Sequence, residues 1–370
     1  GKVARIKLRL PRSRSQYAIF GQGQLMNLDE VAKRARVSTA TVSRVLNNLD
    51  VVKGSTRARV MKAVAELNYH PNLHARTLAG GKNRTLGMIA SNLENPFFFD
   101  IFRTLEAEAH AHGYELMGVN TDYEPERLIR SVRLMIGRRV AGIAVIVSEM
   151  DGALIGELQQ SKISTVFYDV GAAGRHMSNI RVNYHHGIAR VVEYLHSLGH
   201  RRLAFVGHHS GLSPTGEREK AFVETVAQYA PGTEWRTTTD QDSLDGGRKA
   251  AHGLFLGEFR PTAIICVNDF MALGVLRELR ERGLRVPQDI SVTGFDNIQL
   301  SEYCSPPLTT LHIPRDRIGR LVFEALVPES SKSVPPGREI VIEPEFLPRE
   351  STGPAANFAS GSGLGAASRP

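Results

Sequence analysis

Two sets of residues have types and spacings that suit chemistry. The first follows the ends of short apolar runs. After TLGMIA come Asn92, Glu94, Asn95, Pro96, Phe97 and Phe98, and after STVFY comes Asp169. Asn268 and Asp269 follow AIICV, Asp296 and Asn297 follow SVTGF, and Arg218 lies in the segment beyond FVG. Carboxylates accept, guanidinium donates and amides do both, so such a ring can pair the hydroxyls of a polar ligand while Phe97 offers an apolar face. Asn268 and Asp269 read equally well as a helix cap. The second set is VSTATVSRVLN. Arg44 has a forked donor suited to guanine O6 and N7, and the short Thr39 and Ala40 permit close approach to a thymine methyl. Ser38, Thr41 and Ser43 suit phosphate contacts that fix register, and Asn47 completes this set.

Catalysis and metal binding find less support. No G-x-G-x-x-G or G-x-x-x-x-G-K-[ST] loop occurs, and GHHSG at Gly207 to Gly211 lacks the spacing of a phosphate cradle. His208 and His209 are adjacent, as are His185 and His186, without Asp or Cys partners at ligand spacing, so they read as loop or cap histidines. No enzyme, cofactor or metal site is expected.

The elements that must position the second set are three short helices. Leu28, Val31, Ala32 and Ala35 follow the i, i+3, i+4, i+7 spacing of a helix with one buried stripe. Val42, Val45 and Leu46 repeat it after a break at Arg36-Val37-Ser38, where Ser38 or Thr39 can cap the new helix. Two such helices joined by a tight turn make a helix-turn-helix, with Thr39 and Ala40 at the start of the helix that faces the groove. A third helix, about Ser55 to Leu67, offers Val60, Ala63, Val64 and Leu67 as cover and has Ser55 and Thr56 as cap candidates.

The polar ring needs a different scaffold. Composition predicts strands at Thr85 to Ala90, Glu115 to Val119, Gly142 to Val147, Ser164 to Tyr168, Arg202 to Val206, Ala263 to Val267 and Ile290 to Phe295, separated by helical stretches. That alternation predicts parallel sheets covered by helices. The pattern restarts at Arg202, giving two Rossmann-like lobes with a cleft between them, where ligands bind beyond the carboxyl ends of the strands.

Bulk properties agree with two kinds of domain. The chain has 370 residues, 42% hydrophobic and 23% charged, which is ample for more than one core. Its net charge of +8 is unevenly distributed: residues 1–84 hold 17 Lys and Arg against 4 Asp and Glu, and the other 286 hold 29 against 34. A net of +13 at one end lowers the free energy of approach to a polyanion, while the remainder, at −5, gains nothing there. A solvated basic face is the plainer alternative. Apolar runs are too short to cross a bilayer and the basic N-terminus never becomes apolar, so a membrane partner and a secretory signal are not expected. With only Cys266 and Cys304, a reducing cytoplasmic setting fits.

The run VSTATVSRVLN, then STRARVMKAVAELNYHPNLHARTLAGGK and TLGMIASNLENPFFFDIFRTLEAEAHAHGYEL, resembles the lactose-repressor/galactose-repressor (LacI/GalR) family, with the likeness extending over about residues 27 to 350 in one order. The resemblance implies an α/β chain: a three-helix DNA-binding head at 27–70, a hinge helix and linker at 71–83, and a two-lobed effector-binding domain of periplasmic-binding-protein type at 84–350. It implies a dimer, with a tetramer as the alternative, acting as a repressor on palindromic double-stranded operator DNA. In that family a hinge leucine wedges into the minor groove, and Leu78 stands at the matching position; packing against the body is its other reading. The family's effector contacts match Asp169, Arg218, Asn268 and Asp296. The effector is expected to be a sugar or sugar derivative, with a nucleobase as the alternative.

Departures from the family pattern bear on specificity. Gln241 in DQDSLDGG stands where many relatives have an aromatic side chain, so an amide replaces a stacking platform at the expected ligand site. Ala221 replaces a usual glycine, and Gly80 and Gly81 loosen the segment past the hinge. Residues 1–26 read as a basic disordered arm, and residues 351–370, rich in Gly, Ala and Ser, as a disordered tail.

Overall fold

Helix formation at the N-terminal end follows the stripes. In the computed structural model, which describes residues 28–46, 51–69, 83–147, 150–171, 173–208, 215–327 and 337–356, α1 spans Leu28–Ala35, α2 Thr39–Leu46 and α3 Gly54–Glu66. Val31, Ala32, Ala35, Val42, Val45, Val60 and Ala63 form their common core. The turn between α1 and α2 is a Schellman-type ending: Arg36 takes φ 55° and Val37 N donates to Ala32 O. Ser38 caps α2, accepting from Thr41 N at 3.2 Å. The third helix departs from expectation at its start, since it begins at Gly54 with Lys53 at the cap position and no side-chain capping bond. Arg34 and Glu66 join α1 to α3 by an ion pair of 2.6 Å. The chain divides after Lys82 into this small unit and a larger one beginning at Asn83. The hinge over 71–83, including Leu78, and Asn47 lie outside the described residues, apart from Asn83 itself.

The larger unit contains two parallel sheets. In the first lobe β1 (Thr85–Ala90), β2 (Glu115–Asn120), β3 (Gly142–Ile146), β4 (Ser164–Tyr168) and β5 (Met177–Val182) alternate with α4 (Pro96–Ala111), α5 (Pro125–Gly137) and α6 (Gly152–Ser161). In the second, α7 (Tyr184–Ser197) leads into β6 (Arg202–His208), α8 (Thr215–Tyr229), β7 (Glu234–Asp240), α9 (Leu244–Leu254), β8 (Ala263–Cys266), α10 (Asp269–Glu281) and β9 (Ser291–Thr293). The chain then forms α11 (Gln299–Tyr303), β10 (Thr310–His312), α12 (Arg315–Leu326), β11 (Glu339–Ile342) and β12 (Glu345–Leu347).

Strand order is β11-β5-β4-β3-β1-β2 in the first sheet and β7-β6-β8-β9 in the second, with β10 and β12 as an antiparallel pair. The central strands β3 and β8 are buried at every position. Helices cover both faces there, which is why those strands are continuous apolar runs in the sequence. β5 and β7 escape such a reading because Ser178, Asn179 and Arg181, and the run Thr237 to Asp240, interrupt apolar character.

The lobes share segments. After β9 the chain returns to the first lobe, where α12 packs on α4, with Gly319 so close to Thr104 that a Cβ would approach within 2.7 Å. β11 adds the edge strand beside β5. Arg315 fixes the return path: it pairs with Asp100 of α4 at 2.9 Å, donates to Asn297 O at 2.8 Å and donates to Asp296 O. Asp269 pins the other side, accepting from Ile298 N at 2.8 Å and Thr310 Oγ1 at 2.6 Å.

The expected boundary of a disordered tail after Glu350 needs correction. Ser351 is fully buried; its hydroxyl donates to Val292 O at 2.6 Å and accepts from Thr309 N at 2.8 Å. Gly353 N bonds Ser291 Oγ and Ala355 N bonds Leu198 O. Composition alone suggested disorder, but Val292 and Ser291 of β9 supply partners, Val292 N donating to Ser351 O. Residues 357–370 lie outside the described set.

Candidate nucleic-acid and effector sites

On α2, packing separates the buried stripe from the remaining side chains. Val42 and Val45 face the core, whereas Ser38, Ala40 and Arg44 are exposed and Thr39, Thr41 and Ser43 are half-buried. Arg44 has no ion-pair partner among the described residues. Ser38 is already engaged, bonding Thr41 through both the cap and a 2.9 Å hydroxyl contact. The face therefore presents an exposed guanidinium beside small side chains, with no ion pair among the described residues.

In the larger unit, the strand ends bring Asn95, Phe97, Asp169, Arg218, Asn268 and Asp296 around one narrow cavity between the lobes, with about 30 Å³ of room inside it. Gln241 does not join them. It is exposed just past the end of β7, and its neighbour Asp242, only 6% exposed, lines the cavity instead. In this loop Ser243 N bonds back to Gln241 O before α9 begins. Successive side chains point apart in such a turn, so a reading one residue out put the wrong one in the site.

Arg218 occupies the middle of the polar array. Nη1 donates to Val267 O at 3.1 Å and Nη2 to the Tyr184 hydroxyl at 3.1 Å, while the guanidinium lies 4.6 Å from the Tyr184 ring centre and 4.9 Å from that of Phe295. Burial disfavours this cation, but the facing Tyr184 and Asp296 more than offset it and leave its pKa raised. Asp169 accepts from Val182 N at 2.8 Å and from the Tyr184 hydroxyl. Desolvation nevertheless lifts its carboxyl to about 6, against the Tyr184 and Val182 hydrogen bonds and the attraction of Arg218. Desolvation also pushes Asp296 well above the ordinary carboxylate range, although Arg218 opposes it.

Asn268 serves two purposes. Its Oδ1 caps α10 by accepting from Met271 N at 2.8 Å, and its Nδ2 donates to Asp242 Oδ1 at 2.8 Å. Asn95 likewise caps α4 through Phe97 N at 3.0 Å while lining the cavity. Cap and ligand-site readings are thus compatible, because a helix N-terminus at a strand end faces the cleft.

Several lining residues were not singled out by sequence. Tyr123, Tyr168 and Tyr184 line the cavity with Val147 and Asp242, beside Phe98 of the sequence-named ring. His208, expected to be a loop or cap histidine, is instead the last residue of β6, buried at 6%, and lines the cavity with its ring 5.5 Å from that of Tyr123. The first lobe touches Asp242 twice: Asn92 Nδ2 donates to its carbonyl at 3.0 Å, and the Tyr123 hydroxyl donates to its carboxylate. Asp242 is thereby a bond between lobes. Three polar atoms of residues that line the cavity, Tyr168 OH, Arg218 Nε and Asp296 Oδ1, are buried without a hydrogen-bond partner among the described residues.

The matches to known proteins follow the same division. Residues 27–72 match the model for bacterial regulatory proteins, lacI family, and residues 192–352 match that for a periplasmic binding protein-like domain. An HTH-type transcriptional repressor PurR of Vibrio vulnificus (strain CMCP6) is 35% identical over 330 residues, covering 88% of this chain and 98% of the relative. The chain belongs to the lacI family of bacterial regulatory proteins. It is a DNA-binding transcription repressor of that family, not an enzyme. A PurR repressor of Aliivibrio salmonicida (strain LFI1238) is 33% identical, covering 88% of this chain and 99% of its own. Among solved structures, the Lac repressor dimer bound to operator and the anti-inducer ONPF aligns with TM-score 0.76 and 26% identity over 89% of this chain and 99% of that one. The complex of the transcriptional regulator CelR with cellobiose aligns with TM-score 0.63 and 25% identity, over 88% and 99%. Among the described residues, no helix is long and apolar enough to cross a membrane and no group of three metal-ligating side chains occurs.

Proposed function

We propose that this repressor acts as a homodimer on a palindromic operator and that a hydroxyl-rich effector of the carbohydrate class, bound between its lobes, sets operator affinity. In the head, Thr39, Ala40 and Arg44 read base edges, while Ser38, Thr41 and Ser43 contact phosphates; Asn47 and Leu78, outside the described residues, are assigned to the same interface by sequence register. One short helix reads only a few base pairs, so two heads on a symmetric site supply the remaining specificity.

The observation that carries the effector reading is the mixed set of unsatisfied groups: a donor at Arg218 Nε, a carboxyl oxygen at Asp296 Oδ1 and the amphoteric Tyr168 hydroxyl. A buried polar group without a partner costs roughly 1–3 kcal/mol, and a ligand hydroxyl, which both donates and accepts, relieves donor and acceptor alike. The cellobiose complex of a structural neighbour supports the same class. Effector binding changes the angle between lobes, and the coupling to DNA equals its difference in affinity between DNA-competent and incompetent states.

A thermal-shift screen of monosaccharides, disaccharides and nucleobases tests this. A carbohydrate is expected to raise the melting temperature of the full chain by linkage and to change operator affinity. Asp296→Ala is expected to abolish both responses while operator binding without effector is kept. Stabilisation by a nucleobase alone, or a normal response in Asp296→Ala, overturns the assignment.

A further inference from the structure

Tyr184 is the first residue of α7 and stands directly after the crossover from β5 into the second lobe. Asn183 fixes the turn by accepting from His186 N at 3.2 Å, and it leaves Tyr184 buried with its ring 5.6 Å from that of Phe295. From there the Tyr184 hydroxyl donates to Asp169 Oδ2, just past the end of β4, and accepts from Arg218 Nη2 of α8 at 3.1 Å. Burial pushes this phenol well above its ordinary range, so it keeps the proton that it donates.

One donor and one acceptor on a single oxygen is also what a ligand hydroxyl offers. Tyr184 thus makes, from within the chain, the pair of bonds that a sugar hydroxyl would make to Asp169 and Arg218. Their other atoms are mostly engaged. Asp169 Oδ1 accepts from Val182 N at 2.8 Å and Arg218 Nη1 donates to Val267 O at 3.1 Å. The rings of Tyr184 and Phe295 lie 4.6 Å and 4.9 Å from the guanidinium carbon. Among the described residues, Arg218 Nε, Asp296 Oδ1 and Tyr168 OH remain without partners.

We propose that Tyr184 determines effector specificity: its phenol stands in for a ligand hydroxyl between Asp169 and Arg218, so the effector is read by Arg218 Nε, Asp296 and Tyr168, and ligands that need the Asp169 carboxylate are refused. The inference rests on the cleft being the effector site and deepens that reading by naming the residue that narrows its choice. Refusal follows from exchange. A ligand that displaces the phenol only replaces bonds already made, and beside the phenol it finds about 30 Å³ of room.

Two measurements on the full chain test this. In Tyr184→Phe the ring stays and only the hydroxyl goes. ¹³C resonances of the aspartate carboxyls, with Asp169 assigned by its absence in Asp169→Asn, are expected to show the Asp169 midpoint moving upward from about 6, because a hydrogen bond to the charged form is lost. An unmoved midpoint overturns the contact on which the proposal stands. Tyr184→Ala opens the position, and Tyr184→Leu, which keeps more of the packing, takes its place where melting shows the first variant unfolded. In calorimetric titrations with D-ribose, D-glucose, D-galactose and cellobiose, at least one sugar is expected to bind the opened variant about tenfold or more tighter than the wild type, the size of one hydrogen bond to a charged group. That gain is expected to vanish when Asp169→Asn is added. No gained sugar, or a gain that survives Asp169→Asn, overturns the role of Tyr184. The class of the natural effector is decided separately: a wild type that responds to a nucleobase alone ends the carbohydrate reading, while an Asp169-dependent gain of sugars in the opened variant still upholds Tyr184.

Discussion

Replacing Tyr123 by Phe removes one hydroxyl and nothing else from the contact between the lobes. In the wild type that hydroxyl donates to the Asp242 carboxylate, whose other oxygen accepts from Asn268 at 2.8 Å. A hydrogen bond to a charged group is worth roughly 1.5–3 kcal/mol. Tyr123 is partly exposed, so water recovers some of this, and the Asn92 bond to the Asp242 carbonyl and the ring contact with His208 persist. The expected loss of closure free energy is therefore about 1–2 kcal/mol, which shifts the open-to-closed ratio by roughly 5- to 30-fold. Spin labels at Glu126→Cys in α5 and Glu258→Cys in the second lobe, in a Cys304→Ser background, report the distance between lobes by pulsed electron resonance. A broader distribution with added long distances is expected without effector, narrowing when effector binds. Operator affinity changes by no more than the same factor, since a closed-state bias cannot transmit more free energy than it contains. Identical distance distributions in wild type and variant refute a latch at Asp242.

Further outcomes follow from other contacts. Arg44→Ala is expected to weaken cognate operator binding by about 1–3 kcal/mol and to relax base choice at one position of each half-site; equal operator affinity of wild type and variant in a gel-shift titration rejects the register. Ser351→Ala strands Val292 O and Thr309 N in a buried position and is expected to lower stability by about 2–3 kcal/mol in urea unfolding, whereas a loss under about 0.5 kcal/mol contradicts a structural role for this segment. The buried carboxyls are expected to make stability without effector fall as pH rises from 5 to 8, offset in part by His200 and His312, whose burial lowers their pKa and acts in the opposite sense. Burial lifts Asp169 to about 6 and Asp269 to about 7, from 3.8, so in this window the folded chain holds protons that the unfolded chain has released; the contribution is fully present below about 4 and lost as pH passes through these values. A melting temperature that rises over that interval argues against buried protonated carboxylates.

Much of this protein is legible locally. Helix stripes depend only on residues three and four apart, so α1 and α2 follow directly from Leu28 to Leu46. Strands covered on both faces must be apolar at every position, so β1, β3, β4, β6 and β8 stand out as runs, and polar residues at their ends identify Asp169, Asn268 and Asp296 as candidates. A charge excess at one end likewise needs only counting. What the sequence leaves open depends on contacts between distant segments. The strands β5 and β7 have mixed composition and are identified by the neighbours they pair with, and Ser351 to Ala355 gain their order from Ser291 and Val292 of β9 and from Leu198. The choice between Gln241 and Asp242 is a matter of side-chain direction in a turn, which residue type does not encode. Tyr123 lies beyond the end of a predicted strand and Tyr184 beyond a polar one, and neither carries a local mark, yet Tyr184 holds Asp169 and Arg218 together and Tyr123 crosses to Asp242. Local periodicity fixes which elements form, because it acts within a few residues. Only the packing of two lobes decides which side chains share a cleft, because residues 119 positions apart, as Tyr123 and Asp242 are, meet through the fold alone.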